Sequence, residues 1–136
     1  MTSEELRAIL RGARTIAVVG LSPRPERPSH QVADYLQRRG YRIVPVNPHH
    51  VTLLGEPSYP TLAAAAAEHP IDVVDVFRRP IDIPGHLDDL LAKKPRAVWF
   101  QLGIRNDAAA ETLAKAGILV VQDKCLKVEY RRHVLK

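Results

Sequence analysis

Five short runs of β-branched and apolar residues, each followed by a stretch with helical spacing, constrain this chain more than any other feature. The runs cover residues 15–19, 41–46, 71–77, 97–100 and 118–121. The first is apolar at successive positions rather than alternate ones, which suits a strand buried on both faces. The stretches between them place apolar residues at helical intervals and carry start and stop signals. Residues 4–11 form a leading helix with Leu6, Ile9 and Leu10 on one side, ended by Gly12. Ser29 is the expected N-cap of a helix over residues 30–39, with Val32, Ala33 and Leu36 inward and Gly40 closing it. Thr61 caps a helix over residues 62–68, where five consecutive alanines favour helix. A further helix lies within residues 80–92, starting near Pro84 with Leu87, Leu90 and Leu91 inward, and Asp107 is the expected cap of one over residues 108–116. Residues 51–54 followed by Gly55-Glu56-Pro57 read as an extended piece and a turn, and residues 124–134 as a last helix or a frayed basic tail.

Strands alternating with helices imply a parallel sheet covered on both faces and joined by right-handed crossovers. The fold class is therefore α/β: one Rossmann-like domain over residues 1–136, built on a five-stranded parallel sheet. Its expected strand order is 3-2-1-4-5, with the flavodoxin-like order 2-1-3-4-5 as the alternative. A length of 136 residues suits one domain, and 46% hydrophobic residues supply a core. The first residues lack a basic stretch followed by an apolar one, and no apolar run approaches the ~18 residues that span a bilayer. A soluble, cytoplasmic protein without membrane partners is the expectation. Oligomeric state is left open between monomer and homodimer.

In open parallel sheets, ligands bind beyond the carboxyl ends of the strands. The first of these ends delivers the most informative loop, Gly20-Leu-Ser-Pro-Arg-Pro-Glu-Arg-Pro-Ser29. Gly20 permits a sharp turn and close approach of the backbone to a ligand. Ser22 and Ser29 offer hydroxyls, Arg24 and Arg27 offer charge-assisted bonds, and the helix start after Ser29 favours a phosphate. The second strand ends in Asn47-Pro48, able to fix the rim of a nucleotide pocket or simply to close an Asx turn. The third brings Phe77 and Arg78 to the ligand edge, and the fourth brings Gln101 and Gly103.

Several common sites are excluded. The first loop holds one glycine, so it is not G-x-G-x-x-G, and Asn47 stands where an acid would bond the ribose of NAD. The P-loop signature is absent as well. One cysteine, Cys125, forbids an internal disulfide and a cysteine-cluster metal site. Cys125 follows the fifth strand beside Lys124 and Lys127, and His133 is too far along the same helix to act as its base. Asp72 and Asp75 stand three residues apart on one strand and make no acid–base pair by themselves. No catalytic set and no metal site can be assembled from spacing.

The ordered segments Val19-Gly-Leu-Ser22, Gly40-Tyr-Arg-Ile-Val-Pro-Val-Asn-Pro48, Leu54-Gly-Glu56, Asp75-Val-Phe-Arg-Arg-Pro80, Val98-Trp-Phe-Gln-Leu-Gly-Ile104 and Asp123-Lys-Cys125 resemble the small bacterial CoA-binding proteins. The likeness covers nearly the whole chain. That family is similar to the N-terminal domain of the succinyl-CoA synthetase alpha subunit. The resemblance implies a Rossmann-type fold with coenzyme A lying over the strand ends. By position, Gly20, Ser22, Arg24, Arg27 and Ser29 would serve the phosphates, and Asn47 and Pro48 would border the adenosine. Phe77, Arg78, Gln101 and Gly103 would line the rest of the groove. The synthetase also needs a domain carrying a phosphorylated histidine, for which 136 residues leave no room, so ligase activity is not implied.

The expectation is a stand-alone binding module for coenzyme A or an acyl-CoA. An NADP- or acyl-CoA-dependent enzyme is the alternative. Nucleic-acid binding, suggested by a net charge of +5 and the basic segment 124–136, is disfavoured by an aromatic content of 5%. Cys125 is a candidate for a mixed disulfide with the thiol of CoA.

Overall fold

The computed structural model describes residues 2–135; Lys136, the end of the basic segment, lies outside the described residues. In chain order the elements are α1 (Ser3–Gly12), β1 (Thr15–Val19), α2 (Pro28–Arg38), β2 (Arg42–Val46), β3 (Thr52–Leu53), β4 (Glu56–Pro57), α3 (Leu62–Glu68), β5 (Val73–Val76), a 3-10 turn (Pro80–His86), α4 (Leu87–Lys93), β6 (Ala97–Phe100), α5 (Asp107–Lys115), β7 (Leu119–Val121) and α6 (Leu126–His133). The strands β2-β1-β5-β6-β7 form one parallel sheet, and β3 and β4 form a small antiparallel hairpin.

The sheet is apolar on both faces because helices cover both. Ile16, Val18, Val73 and Trp99 pack under α1, α2 and α6 through Leu10, Leu36, Leu126 and Tyr130. The alternate residues Ala17, Val19, Val74 and Phe100 pack under α3, α4 and α5 through Ala65, Leu90 and Leu113. Successive strand residues point to opposite faces, so consecutive apolar residues feed two cores at once.

The observed order, counting only the five strands of the main sheet, is 2-1-3-4-5 and not 3-2-1-4-5. Two residues explain it. Pro45 pairs with Val18, and its carbonyl faces outward, accepting a bond from Tyr59 N at 3.0 Å. A residue's N–H and C=O leave a strand on the same side, so the N–H that proline lacks belongs to that outer edge. A strand in the middle of the sheet would need that donor; an edge strand does not. The second residue is Asp72. Its Oδ2 accepts from Arg14 N at 2.8 Å and Thr15 N at 3.0 Å, tying the entry of β5 to the entry of β1.

Helix caps differ from the sequence reading in two places. Arg27 is the N-cap of α2 with Pro28 in the first turn, so Ser29 lies inside the helix. Proline is favoured there because its missing N–H has no intrahelical partner in any case. Asn106 caps α5, its Oδ1 accepting from Ala109 N at 3.0 Å, so Asp107 is already helical. Within the basic segment Leu126–His133 form a helix, anchored by buried Leu126 and Tyr130.

Candidate functional site

The carboxyl ends of β1, β5 and β6 open into a cleft of about 730 Å³ between the start of α2 and the exposed side of α6. That size falls within the range of cofactor clefts, roughly 300–1,000 Å³. Of the residues singled out in the sequence, Gly20, Ser22, Arg27, Ser29, Phe77, Arg78, Gln101, Gly103 and Cys125 all line it. Arg24, Asn47 and Pro48 do not. The exposed Arg24 reaches Glu26 at 3.8 Å. Asn47 is occupied internally: its Nδ2 donates to the Leu21 carbonyl at 2.9 Å, and its Oδ1 accepts from His49 N at 2.9 Å. This is an Asx turn that holds the end of β2 against the first loop. Pro48 is exposed beside it.

The floor is set by backbone contact. Gly20 has φ +86°, the left-handed region that disfavours residues with a Cβ. Its loop folds back so that Ser22 N donates to Ser29 Oγ at 2.9 Å, and Arg24 N donates to Ser22 Oγ at 3.1 Å. Both serine hydroxyls therefore shape the loop. Buried Ser29 replaces the capping role expected of it with a bond across the loop. No side chain caps α2, and Pro28 and Ser29 of its first turn line the cleft. Amides in this position, together with the helix dipole, favour an anion.

Cations surround that mouth. Among the described residues, Arg27 and Arg131 line the cleft without an acidic partner within salt-bridge distance. Arg78 and Arg79 share Asp82, at 3.7 and 2.9 Å. The hydrogen bond from Arg79, with the charges of Arg79 and Arg78 behind it, holds Asp82 below the usual carboxylate range. Gln101 is buried, and its Oε1 accepts from Leu126 N at 3.0 Å, so it fastens α6 to the end of β6.

The sequence reading misses the contribution of α6. Lys127, Val128 and Arg131 form one wall of the cleft, and Leu102 and Ile104 extend the β6 lip. Their spacing is plain along residues 126–133, but which side of that helix faces the strand ends is a tertiary fact. Asp75 is a second residue whose setting the sequence does not convey. It pairs with Val18 and Trp99 in the middle of the sheet, fully buried, with no hydrogen-bond partner for either oxygen among the described residues. Burial pushes its carboxyl well above the ordinary range. By strand alternation it lies on the same face as Phe77, one layer beneath the cleft floor.

Among the described residues, no histidine is hydrogen-bonded to Cys125, and no group of three or more His, Cys, Asp or Glu is placed to hold a metal ion. Among the described residues, no helix is long and apolar enough to cross a membrane.

Residues 14–131 match the family model described as a CoA binding domain. The chain is 40% identical over 126 residues to the uncharacterised Bacillus subtilis protein YneT, covering 93% of this chain and 92% of that one. A solved structure from Thermus thermophilus superposes with TM-score 0.93 at 45% identity, covering 97% of this chain and 98% of that one. A dinucleotide-forming acetyl-coenzyme A synthetase of Ca. Korarchaeum cryptofilum shares the fold at TM-score 0.72 and 21% identity, over 90% of this chain and 28% of that one.

Proposed function

The chain belongs to the CoA-binding domain family, and from that premise we propose that it is a stand-alone binding module for coenzyme A or an acyl-CoA. One observation carries the reading. Gly20 at its turn, the uncapped start of α2, and the cationic residues Arg27 and Arg78 all line a single cleft at the strand ends. Coenzyme A is a polyanion, with a diphosphate and a 3′-phosphate, and this is the set of groups that recognises one. In this reading the diphosphate sits at the first loop. Arg27 and Arg78 bind phosphate, and Phe77, Gln101 and Gly103 line the path of the pantetheine. Ser22 and Ser29 hold the loop in shape, and Asn47 braces it from β2. Arg24 and Pro48 stand at its outer rim.

Calorimetric titration of ligand-stripped protein tests this. Coenzyme A and acetyl-CoA are expected to bind saturably, dephospho-CoA more weakly, and NAD and NADP weakest of all. Absence of CoA binding by the folded protein, or preference for a nicotinamide cofactor, overturns the reading.

A further inference from the structure

Among the described residues, five large apolar side chains are exposed: Val51, Ile81, Leu102, Val128 and Leu135. Leu102 at 68% exposure and Val128 at 47% both line the cleft that holds Arg27 and Arg78. Isolated apolar side chains on a surface need no explanation. These two are not isolated, because β6 and the loop after it are tied to the segment that leads into α6 by three hydrogen bonds. Gln101 Oε1 accepts from Leu126 N at 3.0 Å, Trp99 Nε1 donates to the Lys124 carbonyl at 2.7 Å, and Gly103 N donates to Asp123 Oδ1 at 2.7 Å. Leu102 and Val128 thus belong to one fixed lip. Lys127, beside Val128 in sequence, has its ammonium over the Tyr35 ring at 5.0 Å from the centroid, which draws its charge toward α2.

The sheet order gives the cleft a direction. β2 lies on one side of β1, and β5 and β6 lie on the other. A ligand whose phosphates sit at the β1 loop has two arms leaving in opposite directions. The arm that crosses β5 and β6 passes Phe77 and arrives at the lip.

We propose that the preferred ligand is an acyl-CoA, whose short aliphatic acyl group covers Leu102 and Val128. This rests on the CoA reading of the cleft and names the class of CoA it takes. A free CoA thiol leaves both side chains in water. An aliphatic thioester removes them from it, and each fully buried methylene tightens binding by about fourfold.

The test is a titration series with CoA, acetyl-, butyryl- and hexanoyl-CoA. It is run on the wild-type protein, on Leu102→Ser, on Val128→Thr, and on the double variant, each shown to be folded by circular dichroism. In the wild type, Kd is expected to fall stepwise along the series, with hexanoyl-CoA at least about tenfold tighter than CoA. In the double variant that ratio is expected to shrink to about twofold or less. Equal affinities along the wild-type series, or a gradient that survives in the double variant, overturns the acyl assignment and leaves CoA binding standing. Absence of saturable binding by every CoA species overturns the CoA reading itself, and the acyl assignment with it.

Discussion

A Cβ on Gly20 would stand 2.5 Å from the carbonyl oxygen of Phe77. The end of β1 and the end of β5 are in backbone contact, and the cleft floor is built on that contact. Phe77 N donates to the Val19 carbonyl at 2.8 Å, so the ladder continues to the last residue before the turn. Gly20→Ala meets both a clash with fixed backbone and a φ of +86°. It is expected to cost about 1–3 kcal/mol of stability, measured by urea denaturation. It is also expected to weaken CoA binding at temperatures where the variant is folded. An unchanged denaturation midpoint would show that the two strand ends can separate freely.

Arg27 and Arg24 sit three residues apart and should behave differently. Among the described residues Arg27 lines the cleft without an acidic partner, whereas Arg24 lies outside it, facing Glu26. Arg27→Ala is expected to weaken CoA by roughly tenfold or more, the scale of a charge-assisted hydrogen bond. Arg24→Ala should stay within about threefold. Comparison with dephospho-CoA locates the contact. A loss confined to CoA assigns Arg27 to the 3′-phosphate, and an equal loss for both ligands assigns it to the diphosphate. The reverse ranking of the two variants would place the anion outside the cleft.

Asp75 predicts a pH dependence with a definite sign. Its folded carboxyl titrates well above the ordinary 3.8 because burial disfavours the charged form. Between those values the unfolded chain has released the proton and the folded chain still holds it. Stability therefore falls as pH rises through that window, by about 1.4 kcal/mol per pH unit from this residue. Asp75→Asn removes the titration. Denaturation midpoints of the two proteins should diverge steadily above about pH 4 in favour of the variant. Divergence in the opposite direction would mean that a cation or donor pairs with Asp75 in solution.

Cys125 lines the cleft at the lip where the CoA reading brings the ligand's sulfur. Incubation with CoA disulfide is expected to attach one CoA. The Cys125 sulfur bonds to one CoA sulfur, the S–S bond of the reagent breaks, and the second CoA leaves as thiolate. Intact-mass spectrometry should show one adduct that is removed by reductant and abolished in Cys125→Ser. Modification at the same rate in the presence of saturating CoA would detach the thiol from the ligand path.

Much of this molecule is legible along the chain. The apolar runs mark all five strands of the sheet, and the flanking stretches mark the helices, because a strand or helix is specified by residues adjacent in sequence. The loops at the carboxyl ends follow from that alternation, which is why chain order suffices to gather Gly20, Arg27, Phe77, Arg78 and Gln101 at one edge. The strand order is only half visible. Pro45 marks its strand as an edge, but only once the side of β2 that its missing N–H would occupy is known. Asp72 offers a carboxylate with no evident task in the sequence, and the fold makes it a clasp between the entries of β1 and β5.

What the sequence alone determined is the alternation, the two-faced burial and the residue types at the strand ends. The tertiary structure decided which strands are neighbours and which side of α6 closes the cleft. It also decided that Asn47 is spent on the Leu21 carbonyl while Arg27 is left facing the cleft. The physical reason is one of range. Backbone propensity and periodicity act over a few residues, whereas strand neighbours and side-chain partners are chosen by packing and hydrogen bonding between segments far apart in the chain.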